Sequence, residues 1–316
     1  MDCNRHPNET ILTTPTYTAY VRIAEGCNNF CTYCAIPRIR GKYRSRKKEN
    51  ILKEVENLVN QGVKEIILIA QDTTMYGIDI YGKKVLHELL RDISKIEGVK
   101  WIRLLYCYPE EITEELIEEI KNNDKVCKYL DLPIQQISNS VLKRMGRKTT
   151  KETIIGIINK LRKEIKGINL RTSLIVGFPG ETEEEFNELK EFVSNIKLDK
   201  LGVFKYSKEE GTPAAIMDTQ IDEDTKEKRE EEIMILQQKI SKAINEEKIG
   251  EIYKVIVEGT KEDMCYGRSY EMSPEIDGEI YFEKDKNIKI GDIIKVRVTH
   301  SLEYDLIGVV YNEFSK

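Results

Sequence analysis

The strongest constraint in this sequence is a sixfold succession of an apolar β-branched run, a loop and a helical stretch, from residue 16 to about residue 206. Several of the apolar runs are nearly continuous in Ile, Leu and Val, which is typical of a parallel sheet covered by helices. Six units are too few for a closed eight-stranded barrel but enough for an open, partial (βα)6 barrel, an α/β fold with its active site at the carboxyl ends of the strands. The predicted strands are residues 17–24, 65–70, 101–106, 127–132, 169–176 and 201–206.

Three threonines predict where helices begin. Thr113, Thr149 and Thr182 each precede an acidic helical stretch, and the last two have a glutamate three residues later, which is the spacing of a capping box. After Asp222, residues 223–250 form a charged stretch with an apolar stripe. Such a stripe usually packs on its own domain, so we predict that this stretch is the sixth helix of the barrel.

The last part of the chain has a different pattern. From residue 253 onward, short alternating strands are separated by glycines and charged turns, which predicts a small all-β barrel or sandwich of roughly 65 residues. We therefore predict a short N-terminal linker over residues 1–16, the partial barrel over residues 17–248 and the small β domain over residues 249–316. Residues 250–316 contain 9 Lys and Arg against 14 Asp and Glu, so we expect the surface of this domain to be acidic.

The composition excludes a membrane protein and makes a disulfide framework improbable. No run approaches the roughly 18 consecutive apolar residues that a membrane span requires, and the first fifteen residues contain no apolar signal core. We therefore expect a cytoplasmic protein. Four of the seven cysteines stand alone in the sequence: Cys3, Cys107, Cys127 and Cys265.

The other three cysteines form the clearest functional motif. Cys27, Cys31 and Cys34 lie in the loop directly after the first predicted strand. Three thiolates on one tight loop can hold three irons of a 4Fe-4S cluster and leave the fourth iron open to another ligand. A closed zinc site would require a fourth ligand, and the chain has only three histidines and no second cysteine pair. Zinc and unligated thiols remain the alternatives.

A CxxxCxxC motif in the first loop of a partial barrel resembles the radical S-adenosylmethionine (SAM) superfamily, and the resemblance extends from about residue 17 to residue 247. It implies a TIM-like partial barrel in which SAM chelates the open iron and is cleaved to methionine and a 5′-deoxyadenosyl radical. It also implies that Tyr33 lies near the adenine of SAM. Ordinary loop packing is the alternative for this tyrosine.

Further segments resemble the methylthiotransferases within this superfamily. SLIVGFPGETEEEF begins within the last residues of the fifth strand, and its Gly177 would allow a close approach to a ligand or a sharp strand-to-helix turn. QDTTMYG follows the second strand, where Gln71 and Asp72 would hold the amino group of SAM or the substrate. This segment resembles the RimO branch rather than the tRNA-modifying MiaB branch. Two further segments, YSKEEGTPA and GRSYEMSPEIDG, also resemble RimO proteins. The second of them is similar to the TRAM module of these proteins.

The resemblance to RimO proteins implies methylthio transfer to the β-carbon of an aspartate in small-subunit ribosomal protein number twelve. A second SAM would supply the methyl group, and an electron donor such as flavodoxin or ferredoxin would reduce the cluster. We expect no catalytic side chain beyond the cluster ligands, because the cofactors carry out the chemistry. The alternatives are a MiaB-type tRNA methylthiotransferase and a non-catalytic iron-sulfur module that binds the ribosome.

The charge distribution bears on the substrate. An acidic β domain binds a polyanion poorly and suits a basic protein, so we expect tRNA not to be a partner. Against this, residues 38–48 contain seven basic residues in eleven. This segment would contact phosphate, bind a carboxylate of SAM or of the substrate, or form a solvated loop.

Two features depart from the RimO pattern. RimO proteins carry an upstream domain whose three cysteines hold a second 4Fe-4S cluster, whereas only Cys3 precedes the barrel here. From this we expect a truncated chain, a fragment or a protein that depends on another polypeptide. The second feature is Gln136, which stands where the family usually has histidine. Glutamine keeps a hydrogen bond but cannot carry a proton near neutral pH.

Overall fold

The structure, a computed structural model, describes residues 14–311 of the chain. Cys3 and most of the predicted N-terminal linker lie outside these residues. The strands are β1 (Thr18–Arg22), β2 (Ala24–Glu25), β3 (Arg44–Ser45), β4 (Glu65–Ile69), β5 (Trp101–Leu104), β6 (Val126–Gln135), β7 (Asn169–Val176), β8 (Lys200–Lys205), β9 (Ile252–Lys261), β10 (Met264–Arg268), β11 (Ile280–Glu283), β12 (Ile293–Ser301) and β13 (Leu306–Val310). The α-helices are α1 (Ile36–Arg40), α2 (Lys48–Asn60), α3 (Ile78–Tyr81), α4 (Leu86–Ser94), α5 (Glu114–Asn122), α6 (Asn139–Arg144), α7 (Lys151–Glu164), α8 (Glu183–Ile196) and α9 (Glu223–Glu246).

Six strands form one parallel sheet in the order β1-β4-β5-β6-β7-β8. This confirms the predicted open, partial (βα)6 barrel. Because all six strands run in the same direction, their carboxyl ends and the loops that follow them lie at one edge of the sheet. The functional residues predicted from the sequence come from these loops.

Both faces of the sheet are buried, but only one of them is covered by helices. Ile66 and Leu68 of β4 belong to the large core that the helices share, whereas Ile67, between them, packs in a second cluster with Tyr129 and Ile256. Ile256 belongs to β9, outside the parallel sheet. The inner face of the barrel is therefore covered by the C-terminal β domain, which explains why the strands are apolar on both faces.

The helix starts agree with the sequence in most cases. Thr113 caps α5, and Thr182 forms a complete capping box at the start of α8. The prediction for Thr149 was wrong by one residue, because Thr150 has the extended backbone of a cap and its hydroxyl accepts the N–H of Thr153 at 3.3 Å. The sixth predicted helix is α9, capped by Asp222 and packed against the last barrel strand and α8.

The small β domain is a closed five-stranded barrel in the order β10-β11-β13-β12-β9. Its core is formed by alternating inward residues such as Val255, Val257, Phe282 and Val298. This confirms the predicted all-β barrel. The predicted boundary at residue 249 lies between the end of α9 and the start of β9, and it remains a prediction.

The β domain is held in the partial barrel by buried polar contacts. Arg103 of β5 donates to the main-chain oxygen of Tyr270 at 2.8 Å, and the hydroxyl of Tyr129 of β6 donates to Asp277 at 2.7 Å. Both acceptors belong to residues 269–279, between β10 and β11, which we call the inserted segment. The inserted segment therefore fills part of the barrel interior.

Among residues 14–311, no helix is long and apolar enough to cross a membrane. The cytoplasmic location remains a prediction.

Candidate functional site

A cavity of about 360 Å³ lies at the carboxyl ends of the parallel strands. Its walls come from the loop after β1, from the ends of the other barrel strands, and from the inserted segment through Ile276. We call it the cysteine cavity. Its lining residues are Cys27, Asn29, Phe30, Cys31, Tyr33, Cys34, Pro37, Gln71, Leu105, Tyr106, Tyr108, Asp131, Pro133, Gln135, Arg171, Ser173, Phe204 and Ile276.

All three cysteines of the motif line this cavity. Cys27 and Cys31 are buried and Cys34 is half-buried. Burial raises the pKa of the Cys27 and Cys34 thiols, and the nearby sulfur of Cys31 raises both further. Thiolates in this cavity therefore require a positively charged partner, which an iron-sulfur cluster provides.

The local fold of the cysteine loop, residues 26–35, follows from the chain leaving the parallel sheet after β1. β2 pairs with β3 in a two-stranded ribbon, so residues 26–43 form a closed loop over the end of the sheet. At its base Gly26 has a φ of +81°, and a Cβ atom there would lie 2.2 Å from the main-chain oxygen of Lys42. Only glycine fits this approach.

The cysteine arrangement is compatible with an iron-sulfur cluster. Among the described residues, no three His, Cys, Asp or Glu side chains are grouped as the ligands of one metal ion. A 4Fe-4S cluster binds each cysteine through a different iron, so three thiols that line one cavity fit it. Of the other described cysteines, Cys107 and Cys127 are buried among strands of the barrel, and Cys265 lies in the core of the β domain.

Two of the predicted SAM-binding residues also line the cysteine cavity. The side-chain oxygen of Gln71 is buried and has no hydrogen-bond partner among the described residues. An acceptor in this state fits the donor of a bound ligand, such as an amino group. Tyr33 contacts Phe178 edge to face, with ring centroids 6.5 Å apart, and presents part of its ring to the cavity.

The structure places Asp72 behind the cavity wall. Its carboxylate accepts the amide of Asn29 at 3.0 Å and the hydroxyl of Thr74 at 2.5 Å, and its main-chain oxygen accepts the hydroxyl of Tyr43 at 2.9 Å. Burial raises the pKa of Asp72 to about 6. This residue therefore ties the cysteine loop to the end of β4.

Gly177 does not line the cavity. It has a φ of +69°, and a Cβ atom there would lie 2.3 Å from Cγ of Lys226 on α9. Its N–H donates to the carboxylate of Glu181 at 2.9 Å. The close approach at this glycine is therefore to a helix, which agrees with the strand-to-helix turn considered in the sequence.

One residue beside the cavity was missed from the sequence. The side chain of Arg147 is 1% exposed, and none of its three guanidinium nitrogens has a hydrogen-bond partner among the described residues. Its guanidinium lies 4.4 Å above the ring of Tyr108, and its nearest carboxylate is that of Glu110 at 3.6 Å. Because arginine stays protonated, this buried charge fits an anionic group at the cavity.

Comparison with known proteins agrees with this geometry. The sequence model of the Radical SAM superfamily matches residues 21–193, and that of the TRAM domain matches residues 249–310. The protein named ribosomal protein uS12 methylthiotransferase RimO from Clostridium botulinum (strain Langeland) is 88% identical over 315 residues, which are all of this chain and 71% of that protein. The chain belongs to the RimO family of radical SAM methylthiotransferases. The protein of the same name from Clostridium acetobutylicum is 60% identical over the same shares of the two chains.

The fold has more distant relatives among solved structures. Coproporphyrinogen III oxidase (HemN) from Escherichia coli, a radical SAM enzyme, superposes with a TM-score of 0.53 and 19% identity. The match covers 71% of this chain and 53% of that one, and it shows a shared fold. Membership of the radical SAM superfamily implies a 4Fe-4S cluster and SAM as cofactors.

Gln136, which we expected to depart from the RimO pattern, contacts the turn after β7. Gln136 is completely buried outside the cavity lining, and its amide nitrogen donates to Glu181 at 2.9 Å. Glu181 also accepts from Arg229 at 2.7 Å and from Gly177. In this RimO-family chain, position 136 therefore supports the turn after β7.

The basic segment at residues 38–48 is partly neutralised within the molecule. Several of its side chains lie within 4 Å of a carboxylate, which leaves less charge for phosphate groups. These pairs are Arg40–Glu25, Arg44–Glu25, Arg46–Glu54 and Lys48–Asp92. Three carboxylates against seven basic side chains leave the alternative of phosphate contact open.

Proposed function

We propose that this chain transfers a methylthio group to the β-carbon of an aspartate in ribosomal protein uS12. The observation that carries the proposal is the group of three cysteines around one cavity at the carboxyl edge of the barrel, in a RimO-family chain. Cys27, Cys31 and Cys34 would hold one 4Fe-4S cluster. When bound, the cluster and SAM supply the radical chemistry that activates the carbon and the methyl group that is transferred.

The residues of the chain would bind and orient these groups. Gln71 would accept a hydrogen bond from the amino group of SAM, and Tyr33 would pack against its adenine. Asp72 would hold Asn29 and with it the cysteine loop. Arg147 would stabilise the carboxylate of SAM and the negative charge of the cysteine thiolates from behind Tyr108. Gly177 would act indirectly, by fixing the turn after β7.

The partners follow from the same proposal. The substrate would be uS12, free or on the ribosome, and the electron donor a flavodoxin or a ferredoxin. The family's second 4Fe-4S cluster would take part in sulfur delivery. This sequence contains no second cysteine triplet that could bind it. Assays of this chain therefore include added sulfide as a sulfur source.

Labelled SAM tests the proposal directly. The chain, reconstituted anaerobically with iron and sulfide, is incubated with SAM, a strong reductant and either uS12 or tRNA. We expect 5′-deoxyadenosine release and a mass increase on uS12. Cys31→Ala should lose both, since the cluster loses a ligand, whereas Cys265→Ala, a change of another buried cysteine, should keep both.

Product on tRNA and none on uS12 would contradict the proposal and favour the MiaB-type alternative. A stable complex with uS12 without 5′-deoxyadenosine release, from a chain that has bound its iron, would favour the non-catalytic binding module.

A further inference from the structure

A second cavity adjoins the cysteine cavity. It has a volume of about 400 Å³ and lies between β8, α9 and the β domain. We call it the outer cleft. Arg171 and Ile276 line both cavities, so the two spaces meet at these side chains. The outer cleft is lined by Arg171, Lys200, Leu201, Gly202, Met234, Ser241, Glu275, Ile276, Asp277, Gly278, Tyr304 and Asp305.

The shared wall belongs to the inserted segment of the β domain and is held firmly. The carboxylate of Asp277 accepts a hydrogen bond from the hydroxyl of Tyr129 at 2.7 Å. It also accepts one from the main-chain N–H of Ser273 at 2.8 Å. Arg171 of β7 lies 3.6 Å from the same carboxylate. The position of Ile276 and Glu275 relative to the barrel is therefore fixed by contacts on either side of them.

Apolar side chains are exposed where the two cavities open. Phe204 is 55% exposed, Ile276 is 52% exposed and Tyr106 is 47% exposed, and all three line the cysteine cavity. Large apolar groups grouped around a cavity mouth are typical of a surface that packs against a partner. A polypeptide that places one side chain in the cysteine cavity would cover these groups.

The accessible charge in the outer cleft is negative. Arg171 is paired with Asp131 at 2.8 Å and with Asp277, and Lys200 is only 7% exposed. Glu275, by contrast, is exposed, and no hydrogen bond or ion pair to its side chain is present among residues 14–311. This carboxylate is therefore available to a cation that enters the cleft.

We propose that the outer cleft holds the residues that flank the modified aspartate of the substrate, and that Glu275 pairs with a lysine or arginine among them. The inference rests on the proposed function and adds to it a residue that selects the substrate. Proteins that bind RNA are rich in Lys and Arg, so a ribosomal protein offers such a side chain. A carboxylate beside the cavity favours the placement of the substrate segment in which this cation lies next to Glu275. The same carboxylate repels an RNA backbone.

Direct binding tests the role of Glu275 without requiring turnover. Fluorescence anisotropy measures the Kd of the full chain for labelled uS12 and for a labelled peptide that spans the target aspartate. We expect Glu275→Gln to raise the Kd about tenfold, because the ion pair with the substrate cation is lost. Glu275→Lys should raise the Kd further, because it places a like charge opposite that cation. Glu262→Gln is the matched control, since Glu262 is an exposed glutamate of the same domain that also has a positive φ.

Charge reversal in the peptide identifies the partner. Each Lys or Arg near the target aspartate is changed in turn to Glu, and one such change should restore binding to the Glu275→Lys variant. Equal Kd values for parent, Glu275→Gln and Glu275→Lys, with uS12 bound by all three, would overturn the inference alone. Failure of the parent chain to bind uS12 would overturn the proposed substrate as well.

Discussion

The guanidinium of Arg147 is a buried charge without a hydrogen bond in the protein. A buried guanidinium without hydrogen bonds is costly even beside a carboxylate, so we expect a residue that serves only structure to have hydrogen-bond partners. Arg144, three residues earlier, shows the structural pattern: it donates to Ser140, Gly180 and Glu185. The contrast between the two arginines supports a ligand-binding role for Arg147.

We predict that Arg147→Met weakens SAM binding about tenfold or more, because the anionic end of SAM loses its counter-charge. The free energy of unfolding of the apoprotein should change by no more than about 1 kcal/mol, since the variant removes a buried guanidinium that makes no hydrogen bond and also its 3.6 Å ion pair with Glu110. Anaerobic equilibrium dialysis with SAM and urea denaturation measure the two effects.

Arg144→Met is the control, and it should lower the stability of the fold while the affinity for SAM stays unchanged. An Arg147→Met protein that is less stable but binds SAM as the parent does would show that Arg147 is structural.

Individual site residues differed in how far the sequence could predict them. The three cysteines could be placed in one cavity because they share a loop, and Gln71 because it directly follows a strand. Arg147 could not be found in this way, since a lone arginine after a short helix has no local pattern that separates it from a surface residue. Its burial depends on Tyr108, which follows a different strand.

At the scale of elements, the ribbon formed by β2 and β3 positions the cysteine loop. The sequence predicted one strand over residues 17–24, but the parallel sheet ends at Arg22 and the next residues pair with Arg44 and Ser45. The apolar pattern continues through both strands, so it could not show that the hydrogen-bond partner changes. The error over Thr149 has a similar cause, because two adjacent threonines offer nearly the same capping pattern.

We predict that Gly26→Ala lowers the iron content of the reconstituted chain to less than half. A side chain at this left-handed position costs about 1–3 kcal/mol, and its Cβ would also collide with the main chain of Lys42. Gly62→Ala is the matched control: Gly62 has a φ of +99° but nothing within 4 Å of the added Cβ. Iron analysis and cluster absorbance measure the effect. Equal iron in both variants would show that the ribbon is not needed for cluster binding.

At the scale of the whole molecule, the sequence predicted two units but not their contact. The inserted segment was identified only as part of a TRAM-like motif, whereas it fills the barrel and lines both cavities. The contacts that hold it to the barrel join residues more than 100 positions apart, such as Tyr129 and Asp277. Local periodicity in the sequence carries no information about such distant pairs. The sequence pattern therefore predicted that helices cover the apolar inner face of the sheet.

The centre of this contact is Glu65 of β4, which is completely buried and paired with Arg103 and Arg268, each at 2.7–2.8 Å. Burial raises the pKa of Glu65, but the two arginines outweigh it and lower the pKa to about 2. Because the folded pKa lies below the unfolded value of about 4.5, this group stabilises the fold above pH 4.5. That stability is lost as the pH falls from about 4.5 to about 2.

We predict that Glu65→Gln lowers the free energy of unfolding by about 3–5 kcal/mol at pH 7, because it leaves the buried guanidinium of Arg103 without a carboxylate and that of Arg268 with Glu258 alone. Denaturant unfolding of parent and variant at several pH values measures the difference. It should shrink below pH 4.5, since the unfolded parent then binds a proton that the folded parent, with a Glu65 pKa of about 2, does not bind. Glu262→Gln, a change of an exposed glutamate, should leave the stability within about 0.5 kcal/mol of the parent. A difference between parent and Glu65→Gln that stays constant from pH 7 to pH 3 would show that the charge of Glu65 does not hold the β domain in the barrel.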